Sequence, residues 1–268
     1  MEGYVVIKCG GSIFDQLPAS FYKNIVKLHQ NGKWQPVLVH GGGPLITSLL
    51  KKLEVETTFV NGLRKTTEDV LDIVEMALTG SINKQLVRKL IKADGKAYGV
   101  SGVDGSLLTA APAGDPEQLG FVGEVTKVNT TVIDKIVDQG YIPVISPLGM
   151  DSNGQRYNIN ADMAASAVAQ ALGAKLCFIS DIPGIYVEEN GEKVTLHEVS
   201  KHKIEQLIED KVIQGGMIPK VRSSLKALAD NVPEVSIVNG LEENSLIDFI
   251  NGKQIGTRIM LDKEVPHV

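Results

Sequence analysis

A regular alternation of short Val- and Ile-rich runs with amphipathic segments limits the possible folds of this chain more than any other feature. It begins with YVVIK, SFYKNIVKLHQNG, QPVLVHGGG and PLITSLLKKL. It continues at AYGVSG, YIPVISPLG, KLCFISDI and EVSIVNG, with helix-like stretches between these runs. Strands that alternate with helices favour a mostly parallel sheet covered on both faces. We therefore predict an α/β fold, a three-layer αβα sandwich around a mostly parallel sheet.

The pattern changes in the middle of the chain, at GSLLTAAPAGDPEQLGFVGEVTKV. Short apolar runs with Gly and Pro between them predict hairpins rather than a βα unit, and we expect these β-hairpins at one edge of the sheet. A possible domain boundary without a flexible linker lies near Gly173, where an Ala-rich helix is predicted to end and a new strand to start. This boundary divides the chain into residues 1–173 and 174–268.

Composition excludes several classes of protein. A chain of 268 residues with 43% hydrophobic content can bury a large core, either as one domain or as two lobes that share a sheet. A formal charge of -5 argues against nucleic acid or an anionic membrane as the main partner. No apolar run reaches the roughly 18 residues that span a bilayer, so we expect a cytoplasmic protein. Cys9 and Cys177 lie in apolar runs without a C-x-x-C spacing, which predicts buried thiols and no metal site.

Glycine-rich segments follow two of the predicted strands. Gly41, Gly42 and Gly43 come directly after QPVLVH, and Gly10 and Gly11 come just after Lys8. Such loops lie beyond the carboxyl ends of parallel strands, where glycine lets backbone N–H groups approach an anion closely. The alternative for each segment is an ordinary turn, with Lys8 in solvent, although one glycine would be enough for a turn.

Two common nucleotide-binding motifs are missing from the sequence. Neither G-x-x-x-x-G-K-[ST] nor G-x-G-x-x-G occurs, so these loops belong to a different phosphate-binding fold. The HGGG string also resembles the oxyanion loop of lipase-like hydrolases. Such enzymes need a G-x-S-x-G nucleophile elbow, and the nearest string, GVSG, lacks that register.

Further polar residues stand where strands are predicted to meet helices. Arg64 in NGLRKT is predicted to lie in a loop before a long helix. Asn158, Asn160 and Asp162 in YNINADMAA lead into the Ala-rich helix, and Lys220 ends GGMIPK. By itself, Asp162 could equally be a helix N-cap, and Arg64 and Lys220 could be solvated charges.

Considered together, these segments resemble the amino acid kinase family. VVIKCGGS, VHGGGP, NGLRKT, NINADMAA, ISDIPGIY and GGMIPKV occur in the order and approximate spacing of that family, and the resemblance covers nearly the whole chain. The N-G-L-R and N-x-N-A-D pair resembles in particular the branch that phosphorylates acetylglutamate. The resemblance implies ATP-dependent phosphorylation of the side-chain carboxylate of N-acetyl-L-glutamate, in arginine biosynthesis, with Mg²⁺ brought in by ATP.

Two other activities stay open beside this one. A kinase of the same fold could act on aminoadipate, free or linked to a carrier, and a catalytically silent protein could sense ATP or an amino acid. The presence of Lys8, Lys220 and Asp162 argues against the silent sensor, because a sensor does not need cations around a transferring phosphoryl group.

The resemblance also implies a role for each candidate residue. Lys8 and Lys220 would face the transferring phosphoryl group, with Asp162 between them as an organiser. The implied acceptor-binding residues are Gly41, Gly42, Gly43, Arg64, Asn158 and Asn160. The implied nucleotide-binding residues are Gly10, Gly11, Asp181, Gly184, Val212, Ile213 and Gln214. Pro183 and Pro219 stand beside these positions and lack an N–H donor, so no family contact through those amides can form.

One helical stretch, TTEDVLDIVEMALTGSINKQLVRKLI, predicts an assembly. Its apolar residues spread over more than one helical face, which predicts a second covering surface. These residues are Val70, Leu71, Ile73, Val74, Met76, Ala77 and Leu78. We expect a homodimer through this helix, where the family resemblance also implies a dimer contact, with residues 1–173 as the acceptor lobe and 174–268 as the nucleotide lobe. In the family that the chain resembles, arginine-inhibited members carry an extra N-terminal helix that links dimers into a ring. Only Met1 to Tyr4 precede the first predicted strand here, so the resemblance implies that arginine does not inhibit the protein directly.

Overall fold

The computed structural model describes residues 3–11, 13–189, 191–215 and 217–262. The strands are β1 (Gly3–Cys9), β2 (Trp34–His40), β3 (Phe59–Val60), β4 (Leu63–Arg64), β5 (Ala97–Ser101), β6 (Leu108–Pro112), β7 (Val122–Val128), β8 (Ile142–Ser146), β9 (Leu148–Met150), β10 (Arg156–Ile159), β11 (Lys175–Ser180), β12 (Tyr186–Glu189), β13 (Glu192–Thr195), β14 (Glu198–Ser200), β15 (Val235–Asn239) and β16 (Thr257–Met260). The α-helices are α1 (Ala19–Gln30), α2 (Gly43–Lys52), α3 (Glu68–Glu75), α4 (Asn83–Lys92), α5 (Pro116–Leu119), α6 (Thr130–Asp138), α7 (Ala161–Leu172), α8 (Lys201–Glu209), α9 (Met217–Ala229) and α10 (Ser245–Ile250). A π-helical segment, Met76–Ile82, joins α3 to α4, and a short 3₁₀ turn spans Asp104–Ser106.

An eight-stranded sheet forms the centre of the protein and confirms the predicted α/β architecture. Its strand order is β14-β16-β15-β11-β1-β2-β8-β5. The pairs from β15 to β5 are parallel, whereas β16 runs antiparallel to β15. Reversal of strand direction is therefore confined to the β14–β16 edge.

Two hydrophobic cores lie on opposite faces of this sheet. Side chains of β1 alternate between them, with Ile7 in the core beneath α1, α3 and α4 and Val6 in the core beneath α6, α7 and α9. Such alternation is the normal consequence of the two-residue period of a strand. Because both faces are covered, strands such as β2 and β8 are buried along their full length, as their continuous apolar runs indicate. Cys9 and Cys177 are free and buried, as predicted.

The hairpin predicted in the middle of the chain is present, but it belongs to a separate small sheet. β6 and β7 pair antiparallel, and β9 and β10 complete a four-stranded sheet that closes on itself. Closure pairs the outer strands with each other, so the hairpin does not extend the central sheet.

The predicted division near Gly173 coincides with a helix end. Gly173 caps α7 in the left-handed conformation with φ 57°, and β11 follows at Lys175. β11 then lies directly beside β1 in the central sheet, so the sheet continues across the boundary. The assignment of residues 1–173 and 174–268 to two lobes stays a prediction.

The helical stretch predicted as a dimer contact is largely covered by other parts of the chain. Of the apolar residues on which that prediction was based, Val70, Leu71 and Val74 have no exposed surface, while Met76 is 56% exposed. α3 packs against α2 and β10, and α4 packs against β5 and β8. The chain itself therefore covers most of these apolar residues, so their burial does not require a partner, and the homodimer stays a prediction.

The structure does not test the expectation that arginine does not inhibit the protein. Met1 and Glu2, two of the residues on which it was based, lie outside the described residues, so it stays a prediction. None of the helices in the described ranges has the length and apolar character needed to cross a membrane.

Candidate active site

Two glycine loops meet at the carboxyl ends of β1 and β2. Gly41 donates its backbone N–H to the carbonyl of Cys9 at 3.0 Å, which ties the second loop to the end of β1. A Cβ on Gly11 would lie 2.9 Å from the backbone atoms of Gly42 and Gly43. Glycine at position 11 thus permits a backbone-to-backbone approach that a side chain would prevent. Gly43 begins α2, with Pro44 in its first turn, so the positive end of the helix dipole lies at this loop.

Lys8 is held at the end of β1 by an ion pair. Its Nζ lies 2.6 Å from Oδ1 of Asp162, and the residue is only 8% exposed. Asp162 is in the first turn of α7, whose N-cap is Asn160. The side-chain oxygen of Asn160 accepts from the backbone N–H groups of Asp162, at 2.9 Å, and Met163. The N-cap alternative for Asp162 is therefore wrong, and its carboxylate is available to Lys8.

Lys220 approaches the same region from the other end of the chain. It lies on α9 and donates to Oγ of Ser180 at 3.0 Å. Burial lowers the pKa of Lys220, and the nearby positive charge of Lys8 lowers it further, whereas Asp181 and Asp162 raise it. Lys8, Asp181 and Asp162 all act on Lys220, so residues remote in sequence share one electrostatic environment.

Arg64 lies in a strand rather than in the predicted loop. β3 and β4 pair antiparallel around a tight turn in which Asn61 and Gly62 have φ values of 49° and 81°. An Asn-Gly pair is the preferred sequence for this kind of two-residue hairpin, so NGLR carried a signal that would have predicted it. The hairpin places Arg64 beside Thr47 of α2, with the guanidinium 4.6 Å from the ring centre of Phe59.

These residues surround a cleft of about 330 Å³. The predicted site residues that line it are Lys8, Gly11, Gly41, Gly42, Gly43, Arg64, Asn158, Asn160 and Asp162. Other lining residues were not predicted: Ile46, Thr47, Phe59, Gly62, Leu63, Leu78, Val122, Pro147, Ile159 and Ala161. Thr47 lies one turn beyond the glycine loop, and that spacing could have identified it.

Asn158 reaches the cleft from β10. Its side-chain Nδ2 donates to Oγ1 of Thr66 at 3.1 Å, and this contact orients the amide. The Thr66 hydroxyl, just after β4, and the Asn158 amide on β10 therefore hold each other in place. An oriented amide can present a donor or an acceptor to a polar ligand group.

Apart from Gly11, the residues predicted to bind a nucleotide do not line this cleft. Asp181 follows β11, immediately after the Ser180 that accepts from Lys220. Gly184 has φ 140°, and a Cβ there would come within 2.5 Å of the Thr257 hydroxyl. Glycine is therefore required at position 184 by the approach of β16. Gly10, next to Lys8, also does not line the cleft.

Val212, Ile213 and Gln214 follow α8. The backbone N–H groups of Val212 and Ile213 both donate to the carbonyl of Leu207 at 2.9 Å, so these amides already complete the end of the helix. Ile213 is buried, whereas Val212 is 45% exposed. The nucleotide-binding role of these three residues stays a prediction.

The cleft and its surroundings are built to bind anions. Two ammonium groups, a guanidinium, two glycine loops and the N-termini of α2 and α7 converge near the carboxyl ends of β1 and β2. Within the described ranges, no group of three or more His, Cys, Asp or Glu side chains is placed to hold a metal ion. The arrangement suits a reaction in which negative charge is positioned and neutralised.

Comparison with known sequences agrees with this geometry. A sequence profile described as "Amino acid kinase family" matches residues 3–239, and the chain belongs to this family. An acetylglutamate kinase from Geobacillus kaustophilus is 53% identical over 256 residues, covering 95% of each chain. An acetylglutamate kinase from Halalkalibacterium halodurans is 46% identical over 268 residues, covering 100% of this chain and 99% of that one.

A solved structure also resembles this chain closely. A protein from Streptococcus mutans is 34% identical, with a TM-score of 0.82 that covers 98% of this chain and 100% of that one. Both the sequence resemblance and the resemblance in fold therefore extend over nearly the full length.

Proposed function

We propose that this protein transfers the γ-phosphoryl group of ATP to the side-chain carboxylate of N-acetyl-L-glutamate and so forms N-acetyl-L-glutamyl 5-phosphate, in arginine biosynthesis. The proposal is based on one observation: the Lys8–Asp162 ion pair and the buried Arg64 line the same cleft. Relatives at 53% identity that are named acetylglutamate kinase support the same acceptor.

The acceptor needs charge compensation rather than a general base. A side-chain carboxylate with a reference pKa near ~4.3 is already ionised at neutral pH. Its approach to the γ-phosphate is opposed by like charge, which Lys8, Lys220 and the N–H groups of the glycine loops would offset. Arg64 would bind the α-carboxylate of the acceptor by two parallel hydrogen bonds, and Asn158 would contact the acetamido group.

The nucleotide would occupy the side of the site formed by residues 174–268. Gly10 and Gly11 would approach its phosphates, and Asp181, Gly184, Val212, Ile213 and Gln214 would surround the rest of it. Mg²⁺ enters as part of the Mg-ATP substrate. Lys220 supports this placement, because its ammonium group is influenced both by Asp181, in residues 174–268, and by Lys8, at the end of β1.

The test is a trapping assay for an acyl phosphate. The protein is incubated with Mg-ATP and hydroxylamine, and N-acetyl-L-glutamate, L-glutamate, aminoadipate and carbamate are each offered as acceptor. We expect hydroxamate with N-acetyl-L-glutamate at a kcat/KM at least ~10²-fold above the others. Preference for aminoadipate, or no product with any acceptor, would refute the proposal.

A homodimer and a cytoplasmic location complete the proposal. The dimer rests on the family resemblance, since the apolar residues of α3 are covered within the chain. The location rests on the need for ATP as a substrate. Light scattering of the purified protein tests the first, and cell fractionation tests the second.

A further inference from the structure

A chain of hydrogen bonds links Arg64 to the glycine loop. Nη2 of Arg64 donates to Oγ1 of Thr47 at 2.8 Å, and that hydroxyl lies 2.9 Å from the carbonyl oxygen of Gly43. A carbonyl can only accept, so the single hydroxyl hydrogen of Thr47 is directed to Gly43. The lone pairs of the same oxygen then face the guanidinium. Thr47 thus receives a hydrogen bond from one site residue and gives one to another.

The remaining donors of Arg64 are directed by this contact. A guanidinium has five N–H donors in a rigid plane, so fixing one edge fixes the direction of the others. Nη1 is fully buried and has no hydrogen-bond partner among the described residues. The ring of Phe59 lies over the guanidinium at 4.6 Å and limits rotation out of the plane. Arg64 lines the cleft, so the direction of its guanidinium affects how a ligand there meets its N–H groups.

We propose that Thr47 is a positioning residue that determines how tightly, and how selectively, Arg64 binds a carboxylate of the acceptor. This inference rests on the proposed function, because it takes the ligand of Arg64 to be a carboxylate. Thr47 does not itself contact the reacting atoms. It holds one edge of the guanidinium, so that the direction of the remaining N–H groups is set before the acceptor arrives.

The physical gain is preorganisation. A free Arg side chain loses rotamer entropy when it is immobilised, and a side chain that is already fixed avoids most of that loss on binding. Without the Thr47 hydroxyl, Nη2 also loses its partner at the edge of a buried site, where an unpaired donor is costly. The unpaired donor destabilises the free and the liganded protein alike, so the loss of preorganisation is what weakens acceptor binding, and it does not involve the nucleotide.

The experiment compares Thr47→Val with Thr47→Ser. Valine keeps the shape of threonine but has no hydroxyl, whereas serine keeps the hydroxyl. We expect Thr47→Val to weaken binding of N-acetyl-L-glutamate about 10-fold in calorimetric titration, and to raise its KM by a similar factor, with kcat and the KM for ATP within about 2-fold of the wild type. Thr47→Ser should bind within about 2-fold of the wild type.

A matched control and a selectivity measurement separate positioning from general damage. Thr57→Val also removes a threonine hydroxyl next to the β3–β4 hairpin, but that hydroxyl donates to the carbonyl of Lys65 and not to Arg64. It should leave acceptor affinity unchanged. The α-amide of N-acetyl-L-glutamate lacks the carboxylate, so the wild type should prefer the acid strongly, and Thr47→Val should reduce that preference about 10-fold.

The outcomes distinguish this inference from the proposed function. Unchanged acceptor affinity and unchanged preference for the acid in Thr47→Val would overturn the inference, as would an equal loss in Thr47→Ser. A wild-type protein that did not bind N-acetyl-L-glutamate would overturn it as well. Wild-type binding without hydroxamate formation would refute the proposed function alone, because the titration measures the Arg64 contact without turnover.

Discussion

His40 should make the stability of this protein depend on pH between about 6.5 and 4. The residue lies at the end of β2, immediately before the glycine loop, and is 1% exposed. Its Nδ1 lies 3.1 Å from the carbonyl oxygen of Gly41, so Nδ1 carries the hydrogen, and its Nε2 lies 3.4 Å from Nδ2 of Asn83. Burial, with a smaller contribution from Lys84, outweighs the opposing effect of the Gly41 hydrogen bond and lowers the pKa of His40 from 6.5 to about 4.

The sign and size of the effect follow from proton linkage. Between pH 6.5 and 4 the unfolded chain binds a proton at this histidine and the folded chain does not, so stability falls as the pH falls. A depression of about 2.5 pKa units corresponds to at most about 3.4 kcal/mol, of which about 2 kcal/mol is lost between pH 7 and pH 5. Above pH 6.5 the histidine is neutral in both states, and its contribution is constant.

The assay is urea unfolding at pH 7, 6 and 5, with His40→Asn as the comparison. Asparagine can still donate to the carbonyl of Gly41 but does not titrate, and Asn83 keeps its contacts with the carbonyls of Val100 and Val144. The free-energy difference between wild type and variant should shrink by about 2 kcal/mol from pH 7 to pH 5. A difference that stayed constant within about 0.5 kcal/mol would show that His40 is not the titrating group.

Two further predictions concern the lysines of the candidate site and its glycine loops. Lys8→Ala and Lys220→Ala should each lower kcat in the hydroxamate assay by ~10² or more with unfolding midpoints near that of the wild type, and full activity in either variant would remove that lysine from the reaction. Gly11→Ala should lower the thermal midpoint by several degrees, because its Cβ would lie 2.9 Å from the backbone of Gly42. Gly43→Ala should leave the midpoint unchanged, since no atom lies within 4 Å of that added Cβ, and equal midpoints for the two variants would contradict this reasoning.

The central sheet was predictable because burial on both faces produces continuous Val- and Ile-rich runs. β1, β2, β8, β11 and β15 all lie within such runs. Short strands were harder to predict. β12, β13 and β14 have few buried residues from which a two-residue period could be recognised, so their hydrophobic pattern did not distinguish them from loops.

The long helix shows a different limit. The sequence predicted one amphipathic helix from its apolar residues, whereas the structure inserts the π-helical segment Met76–Ile82 between α3 and α4. A π-helical turn contains more residues than an α-helical turn, so it changes which residues face the sheet. Leu78 and Ile82 consequently pack against Gly42, a contact that the α-helical period does not specify.

The candidate site was recognised from its glycines and charges, because their chemistry is specific even when their distances are unknown. Lys8, Arg64 and Asp162 were each identified in the sequence and lie around one cleft. The contacts that orient them were not identified. The hydroxyl of Thr47 and the N-cap of Asn160 depend on which side chains meet after folding, and an isolated sequence offers many equivalent Ser, Thr and Asn residues.

The adjacency of β1 and β11 has a mechanical consequence for the two predicted lobes. Five residue pairs, from Val5 and Lys175 to Cys9 and Ile179, join these strands in a parallel ladder that crosses the boundary at residue 173. A hinge between the halves would have to shear this ladder and twist the buried sheet, which is costly compared with moving an exposed connection. Ligand entry is therefore expected to involve surface segments such as the β3–β4 hairpin, with the strand that carries Lys8 acting as a stationary reference for both substrates.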